Sequence, residues 1–176
     1  MRIMGNFFKL MVIAFCLCHL PLQAQDLGNN YRVYAGLLYH FTKYVEWPSQ
    51  RQQGDFVIGV YGDEEMLIAT QNLMKNRFIS NQKISVKKIT QEEDINSCHI
   101  IFVERNFSHK FKSIQPKSQS NHILIVTEGT NLAKKGAGIN FVIQGDKLKF
   151  EMNKSAIESA GLKVSNELVK LSILVG

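Results

Sequence analysis

Four of the five histidines lie after the first 24 residues and are the side chains best suited to binding a metal ion, but their spacing argues against it. They are His40, His99, His109 and His122. No two of them lie four residues apart, and none has a glutamate at metal-ligand spacing. A metal site needs several such side chains to converge on one point. The sequence therefore predicts no metal centre.

Cys98 and His99 are a candidate nucleophile and base, but they are neighbours in an apolar run over residues 98–103. Adjacent side chains on a strand point to opposite faces, so the thiol and the imidazole cannot act together. A cysteine in such a run behaves as a small hydrophobic residue, and we expect Cys98 to be buried and unreactive. No serine lies in a nucleophile elbow. The sequence predicts a protein without catalytic residues.

The glycines of Gly136-Ala137-Gly138 resemble a nucleotide-binding loop only superficially. The dinucleotide fingerprint needs a strand before it and a helix after it, whereas Gly138 leads into a β-rich run. The acidic runs 63–65 and 92–94 are typical of solvated helix starts. We interpret the glycines as a turn and expect no cofactor.

The first 24 residues have the layout of a secretory signal peptide. Arg2 and Lys9 provide positive charge, Leu10 to Cys18 is apolar, and Ala24 supplies a small residue at a cleavage point. The apolar stretch is too short to cross a bilayer as a helix. We therefore expect a signal peptide over residues 1–24 and a periplasmic location for the mature protein.

The remaining residues, 25–176, have the length of one domain with a sizeable core. The formal net charge is +6, and loss of Arg2 and Lys9 lowers it to about +4. The basic residues are scattered rather than gathered into a stripe, which excludes nucleic acid as an expected partner. Only Cys98 remains after processing, so no internal disulfide is expected.

An aromatic helix opens the mature chain. Between residues 29 and 47, apolar side chains recur at helical spacing, and Pro48 ends the pattern. The wide apolar face is typical of a core contact rather than a stacking platform for ligands.

Short strands then alternate with helices. Residues 56–61, 84–89, 98–103 and 122–126 are β-rich, and helical patterns follow Asp63 and surround Phe111. This order predicts a mostly parallel sheet covered on both sides. The fold class we expect is α/β, a three-layer α/β/α sandwich with a C-terminal antiparallel hairpin.

The hairpin and two short helices end the chain. Residues 138–143 and 148–152 are strands joined by a turn at Gly145-Asp146. Asn153 is a helix cap, and Gly161 ends that helix. A last helix begins at Ser165, and we expect its apolar residues to be buried. Those residues are Leu168, Leu171 and Ile173.

Several segments together resemble the YfiR family. The residues Phe41-Thr42-Lys43-Tyr44-Val45-Glu46-Trp47-Pro48 are similar to its aromatic helix end. Residues 59–63 resemble its first strand and turn, and residues 138–142, 148–153 and 160–165 resemble its C-terminal signature. The similarity covers nearly the whole chain after residue 24, in the same order.

The resemblance implies a periplasmic regulator without catalytic activity. The best-known family member represses an inner-membrane diguanylate cyclase by binding its periplasmic sensor region, and an outer-membrane lipoprotein relieves the repression. Cyclic di-GMP and biofilm output follow. Partner-binding residues of the family carry onto Phe141, Glu151 and Ile157, which we expect to form an exposed apolar patch with a polar anchor. The disulfides of that member have no counterpart here.

Two alternatives stay open from the sequence. The partner could be a sensor histidine kinase, with the domain acting as a small-molecule sensor whose ligand enters at the carboxyl ends of the strands. Tyr31, Tyr34 or Phe107 would then line the pocket. The sequence also leaves a homodimer open.

Overall fold

The computed structural model describes residues 24–176, so residues 1–23 of the predicted signal peptide lie outside the described part. The five α-helices in that part are α1 (Ala24–Tyr44), α2 (Glu64–Met74), α3 (Phe111–Asn121), α4 (Lys154–Ser159) and α5 (Asn166–Leu171). The strands are β1 (Val45–Glu46), β2 (Phe56–Tyr61), β3 (Phe78–Ile79), β4 (Gln82–Lys88), β5 (Ile100–Val103), β6 (Leu124–Glu128), β7 (Ile139–Gln144), β8 (Lys147–Met152), β9 (Lys163–Val164) and β10 (Ile173–Leu174).

Eight strands form one sheet in the order β10-β8-β7-β6-β5-β2-β4-β3. Strands β4, β2, β5, β6 and β7 are parallel neighbours, whereas β8 is antiparallel to β7 through the hairpin. The expected mixed α/β fold, with its largely parallel sheet and C-terminal hairpin, is confirmed.

One face of the sheet carries the larger core cluster, built around helix α1. Tyr34, Leu38 and Phe41 are buried on α1, together with Met66 from α2 and Leu168 from α5. Tyr34 stacks on Phe141 of β7 with ring centroids 4.8 Å apart. The aromatic face of α1 is therefore a core contact, as its spacing predicted.

The opposite face carries a second core cluster. Helix α3 contributes Phe111 and Ile114, and the 3-10 helix Glu92–Ser97 contributes Ile95. They pack on Ile101 and Ile125, which point away from α1. Burying both faces gives the three predicted layers and explains the near-continuous apolar runs of the central strands.

Helix α1 ends at Tyr44, earlier than the proline signal predicted. Val45 and Glu46 form β1, which pairs with β9 in a separate two-stranded sheet. The Ser165 amide also donates to the Tyr44 carbonyl at 2.8 Å. Pairing with β9, which is distant in sequence, therefore replaces the last predicted turn of the helix.

The C-terminal signals position their elements as predicted. Gly145 in the hairpin turn and Gly161 after α4 have φ of +66° and +73°, where L side chains are strained. Asn153 accepts from the Ala156 amide and Ser165 from the Leu168 amide. No helix among residues 24–176 is long and apolar enough to cross a membrane.

One expectation for the last helix is wrong. Leu168 is buried, but Leu171 is 71% exposed and Ile173 is half-buried in strand β10. Helix α5 ends at Leu171, where the chain turns to run beside the sheet edge. The apolar stripe therefore extends beyond the surface that the core can cover.

Candidate functional site

The three residues expected to bind a partner do not form an exposed patch. Phe141 and Ile157 are each 1% exposed and belong to the core cluster under α1, while Glu151 is half-buried. The expectation that Phe141 and Ile157 lie at the surface is wrong. Helix α1 covers Phe141, and Ile157 packs inward from α4.

Strand register separates Phe141 from Glu151 as well. In the β7–β8 pair, Phe141 lies opposite Phe150, and Asn140 lies opposite Glu151. Directly paired residues share a face and successive residues alternate. Phe141 therefore points toward α1, and Glu151 points away from it, so the sheet itself lies between them.

Glu151 is held by a buried polar network. Its Oε2 accepts a hydrogen bond of 3.0 Å from Nδ2 of Asn140, which is 0% exposed. Asn140 also donates to the Gly129 carbonyl at 2.9 Å and accepts from the Thr127 hydroxyl at 2.8 Å and from the Gly129 amide at 3.1 Å. The network satisfies the amide completely and fixes the direction of the carboxylate.

The exposed apolar side chains of the C-terminal hairpin, α5 and β10 lie around the edge of the sheet that β8 and β10 form. Ile143, Leu171 and Leu174 are 57%, 71% and 57% exposed. Ile143 lies across from Leu148 at one end of β8, and Leu174 pairs with Met152 at the other. Four residues of strand separate those ends, about 13 Å. We call Ile143, Leu171 and Leu174 the C-terminal edge surface. Glu151 lies on the other face of β8, beside the same strand edge.

Sequence reasoning missed the apolar members of this surface. Ile143 belongs to an apolar run, but it precedes the Gly145 turn by two residues and lies where the hairpin projects beyond the core. Its position next to the turn could have predicted that Ile143 is exposed. The local sequence around Leu174 could not have predicted its exposure, because its two-residue strand forms only by pairing with β8.

At the carboxyl ends of β2 and β5, where a ligand crevice was the alternative, the protein fills the space itself. Glu104 follows β5 and is 4% exposed. Its carboxylate accepts from the Tyr31 hydroxyl at 2.9 Å and from the Asp63 amide at 2.7 Å. A Cβ on Gly62 would lie 2.8 Å from Glu104 Oε2, so the packing leaves no room even for a methyl group.

The ionisable groups of this crevice are perturbed mainly by burial. Burial raises the pKa of the Glu104 carboxyl, while its two hydrogen bonds act in the opposite direction. Burial, with the nearby Glu128, raises the pKa of Tyr34 to about 12. Tyr31 and Tyr34 are buried, so their rings are not available to line an open pocket.

Cys98 and His99 point to opposite faces, as predicted. The Cys98 thiol is 0% exposed in the α3-side cluster, and burial raises its pKa to about 11. His99 stacks on Phe56 in the other layer at 4.4 Å, and burial lowers its pKa to about 4. The pair forms no catalytic dyad. Among residues 30–176, whose side chains the structure describes, no three acidic, histidine or cysteine side chains gather as a metal site.

The comparisons with known proteins settle the family. The family model described as YfiR/HmsC-like matches residues 31–173. The chain belongs to the YfiR/HmsC-like family. This family is a regulatory one. No match was found among curated proteins.

Two solved structures are similar to this chain at low sequence identity. A conserved domain protein from Vibrio cholerae O1 biovar El Tor is 10% identical, with a TM-score of 0.54 over 83% of this chain and 60% of that one. An ABC domain from Streptococcus pneumonia, solved in complex with L-Trp, is 13% identical, with a TM-score of 0.46 over 69% and 55%. This chain thus spans somewhat over half the length of either. The Vibrio protein shows the α/β fold alone.

Proposed function

We propose that this protein is a periplasmic regulator that binds the sensor region of an inner-membrane signalling protein and represses it. A diguanylate cyclase is the partner we place first, so binding lowers cyclic di-GMP and biofilm output. Membership of the YfiR/HmsC-like family supports the regulatory role. The observation that carries the binding mode is the C-terminal edge surface.

Exposed leucines and an unfinished strand edge make this surface suited to a protein partner. Strand β10 pairs only with Glu151 and Met152, so it covers one end of β8. An incompletely paired edge presents backbone donors and acceptors that an extended segment of a partner can satisfy. A partner at this edge would also bury the apolar side chains of Leu171 and Leu174, which favours association.

Glu151 supplies the polar part of the proposed contact from the other face of β8, so the partner has to reach around the strand edge. Its carboxylate is fixed by buried Asn140 yet remains half-exposed, so it is oriented before a partner arrives. Preorganised groups lose little conformational freedom on binding. We assign Glu151 the role of a polar anchor, and we assign the apolar contact to Leu171 and Leu174 rather than to Phe141 and Ile157.

Location is part of the proposal. We place the mature protein in the periplasm after cleavage near Ala24. Cell fractionation and mass spectrometry of the mature N-terminus test this, and the expected first residue is Gln25. An intact Met1 in the soluble cytoplasmic fraction would contradict it.

The binding test recovers the partner from membranes. Affinity-tagged wild type and the double variant Leu171→Ser, Leu174→Ser are cross-linked in cells, and captured membrane proteins are identified by mass spectrometry. We expect wild type to recover a diguanylate cyclase with a periplasmic region and the double variant to lose it. The matched control is Ile68→Ser, 46% exposed on α2.

Two results would decide against the proposal or redirect it. Equal recovery by wild type and the double variant excludes the C-terminal edge surface. Recovery of a sensor histidine kinase in place of the cyclase changes the partner but keeps the surface. Circular dichroism of each variant separates lost binding from lost folding, because both leucines are exposed and their replacement leaves the core intact.

The cellular readout is the concentration of cyclic di-GMP. Deleting the gene should raise it, and only wild type and the Ile68→Ser control should restore it. An outer-membrane lipoprotein that relieves repression would compete for the same surface, and adding its purified periplasmic domain should release the captured cyclase.

A further inference from the structure

Four exposed lysines gather on the outer side of the layer that helix α3 forms. Lys110 and Lys112 lie at the start of α3. Lys134 and Lys135 lie in the loop that joins β6 to β7. Nε2 of Gln115 donates to the Lys135 carbonyl at 2.9 Å, so this loop lies against the first half of α3. We call Lys110, Lys112, Lys134 and Lys135 the basic face.

The backbone beneath the basic face is firmly packed. Leu132 of the loop belongs to the same core cluster as Phe111 and Ile114 of the helix. Gly136 lies so close to Nε2 of Gln115 that a Cβ at this position has no space. Loop and helix therefore form one surface, and the four lysines are held near one another before anything binds.

The basic face has no neighbouring counter-charge of its own. Residues 105–127 and 129–145 contain no aspartate or glutamate. Glu128, between those segments, pairs with Arg105 at 3.2 Å. None of the four lysines forms an ion pair with another described residue. Like charges on one surface repel one another, so an anionic surface placed against them is attracted and offsets that repulsion.

The acidic residues of this layer lie toward the other end of α3. They belong to the 3-10 helix Glu92–Ser97. Two of them are paired, Glu92 with Lys117 at 3.1 Å and Asp94 with Lys87 at 3.3 Å. The positive charge of the layer is therefore concentrated around the start of α3.

The chemistry of the basic face favours a lipid surface over a protein or a nucleic acid. The exposed large apolar side chains of the described chain lie on α1, α2, β3, β7, α5 and β10, and none lies on the α3 layer. Protein interfaces are depleted in lysine and depend on buried apolar anchors. Single-stranded nucleic acid needs exposed aromatic rings on which its bases stack. A bilayer needs neither, because anionic headgroups attract each nearby lysine by charge alone.

We propose that the basic face docks this domain reversibly on a bilayer that contains anionic phospholipid. Helix α5, which carries Leu171, packs through Leu168 into the core cluster on the α1 side of the sheet. The sheet therefore lies between Leu171 and the basic face, and a domain resting on the bilayer keeps that leucine accessible. The inference goes beyond the proposed function, because vesicles of pure lipid contain no partner protein.

Vesicle flotation tests the docking directly. The processed protein, residues 25–176, is mixed with vesicles of phosphatidylcholine alone or with about one third phosphatidylglycerol. We expect recovery with the anionic vesicles only, in about 0.1 M salt, and release in about 1 M salt, where the screening length falls from about 10 Å to about 3 Å. Failure of the anionic vesicles to recover the protein in about 0.1 M salt overturns the proposal, and so does equal recovery by both kinds of vesicle.

Matched double variants locate the contact. Lys134→Gln, Lys135→Gln should weaken binding to anionic vesicles about 25-fold, about fivefold for each lysine. The control is Lys75→Gln, Lys83→Gln, which removes the same charge from two exposed residues at the other side of the molecule, beside the groove between α2 and β4. Equal weakening by the two double variants overturns the proposal, because the attraction would then belong to the net charge and not to the basic face. Circular dichroism checks that each variant is folded.

A second probe separates a bilayer from an acidic protein. Fluorescent poly-glutamate is titrated into the wild type and into both double variants, and its anisotropy is measured. We expect weaker binding to poly-glutamate than to anionic vesicles at equal concentration of negative charge. Tighter binding to poly-glutamate, lost in Lys134→Gln, Lys135→Gln alone, would assign the basic face to an acidic protein and overturn the lipid docking.

Discussion

Phe141 and Ile143 lie two residues apart on the same face of strand β7, yet they are 1% and 57% exposed. Helix α1 covers the first with Tyr34 and Phe41, whereas no element covers the second to the same extent. The alternation of side chains along a strand thus predicts which face of the sheet a side chain lies on. Whether that side chain is exposed to a partner depends on which helix or strand packs over it.

The same contrast separates the aromatic core from the C-terminal edge surface. The core places Tyr34, Phe41, Phe102 and Phe150 within 6.0 Å of a neighbouring ring. The edge places leucines on a six-residue helix and a two-residue strand. One region provides stability, and the other leaves its leucines in contact with water, where the proposed partner would cover them.

The largest expected effect is on the core. Replacing Phe141 by alanine removes a ring stacked 4.8 Å from Tyr34 and leaves a cavity. We expect the free energy of unfolding to fall by about 3–5 kcal/mol. Urea unfolding followed by circular dichroism measures it. A loss below about 1 kcal/mol would contradict the assignment of Phe141 to the core.

The second effect is a pH dependence set by His99. Its Nδ1 accepts from the Val57 amide at 3.0 Å, and its Nε2 lies 2.8 Å from the Arg51 carbonyl, so the folded ring is neutral. Burial lowers the pKa of His99 to about 4, from about 6.5 in the unfolded chain. The unfolded state therefore binds the proton first, and stability is lost as pH falls from 6.5 to 4.

The expected loss from this group is about 3 kcal/mol, complete below pH 4. Unfolding free energies across pH 4–8 measure it. The control is His99→Gln, whose amide can keep both hydrogen bonds but cannot titrate, so its curve should be flatter over that window. Parallel curves for the two proteins would exclude His99 as the source.

A smaller effect separates the anchoring of Glu151 from its proposed binding role. Glu151→Ala removes the acceptor for Asn140 Nδ2, and we expect a loss of about 1 kcal/mol in unfolding free energy. Glu151→Gln keeps an acceptor and should leave stability unchanged while weakening partner capture. A loss as large as that of Phe141→Ala would make Glu151 a structural residue.

The smallest effect is expected at Ile143. Because the side chain is 57% exposed, Ile143→Ala should change the unfolding free energy by less than about 0.5 kcal/mol. Thermal unfolding beside Phe141→Ala makes the comparison direct. Similar losses for the two variants would mean that the hairpin tip is packed after all.

Local signals in the sequence were sufficient for most of the fold. The caps at Asn153 and Ser165 and the turn at Gly145 depend on residues a few positions apart, and each is found where it was predicted. Periodicity likewise identified the buried face of α1, because helical spacing is a local property.

The predictions that were wrong concern residues whose burial or secondary structure depends on contacts between elements distant in sequence. The burial of Phe141 requires α1, about 100 residues earlier in the chain, and the exposure of Leu171 depends on where the core ends. Pairing between β1 and β9 replaces the last turn of the predicted first helix. The family resemblance supplied residue types for a site but no information on the direction of each side chain.

The burial of Cys98 has a practical consequence. Its Sγ lies against Gly59 and donates to the Asp94 carbonyl, with none of the residue exposed. In a chain with Cys16 and Cys18 replaced by serine, a thiol reagent can modify the molecule only when the sheet centre opens. The labelling rate without denaturant then measures how often the domain opens. A bound partner or ligand should lower that rate, and by a larger factor the more tightly it binds.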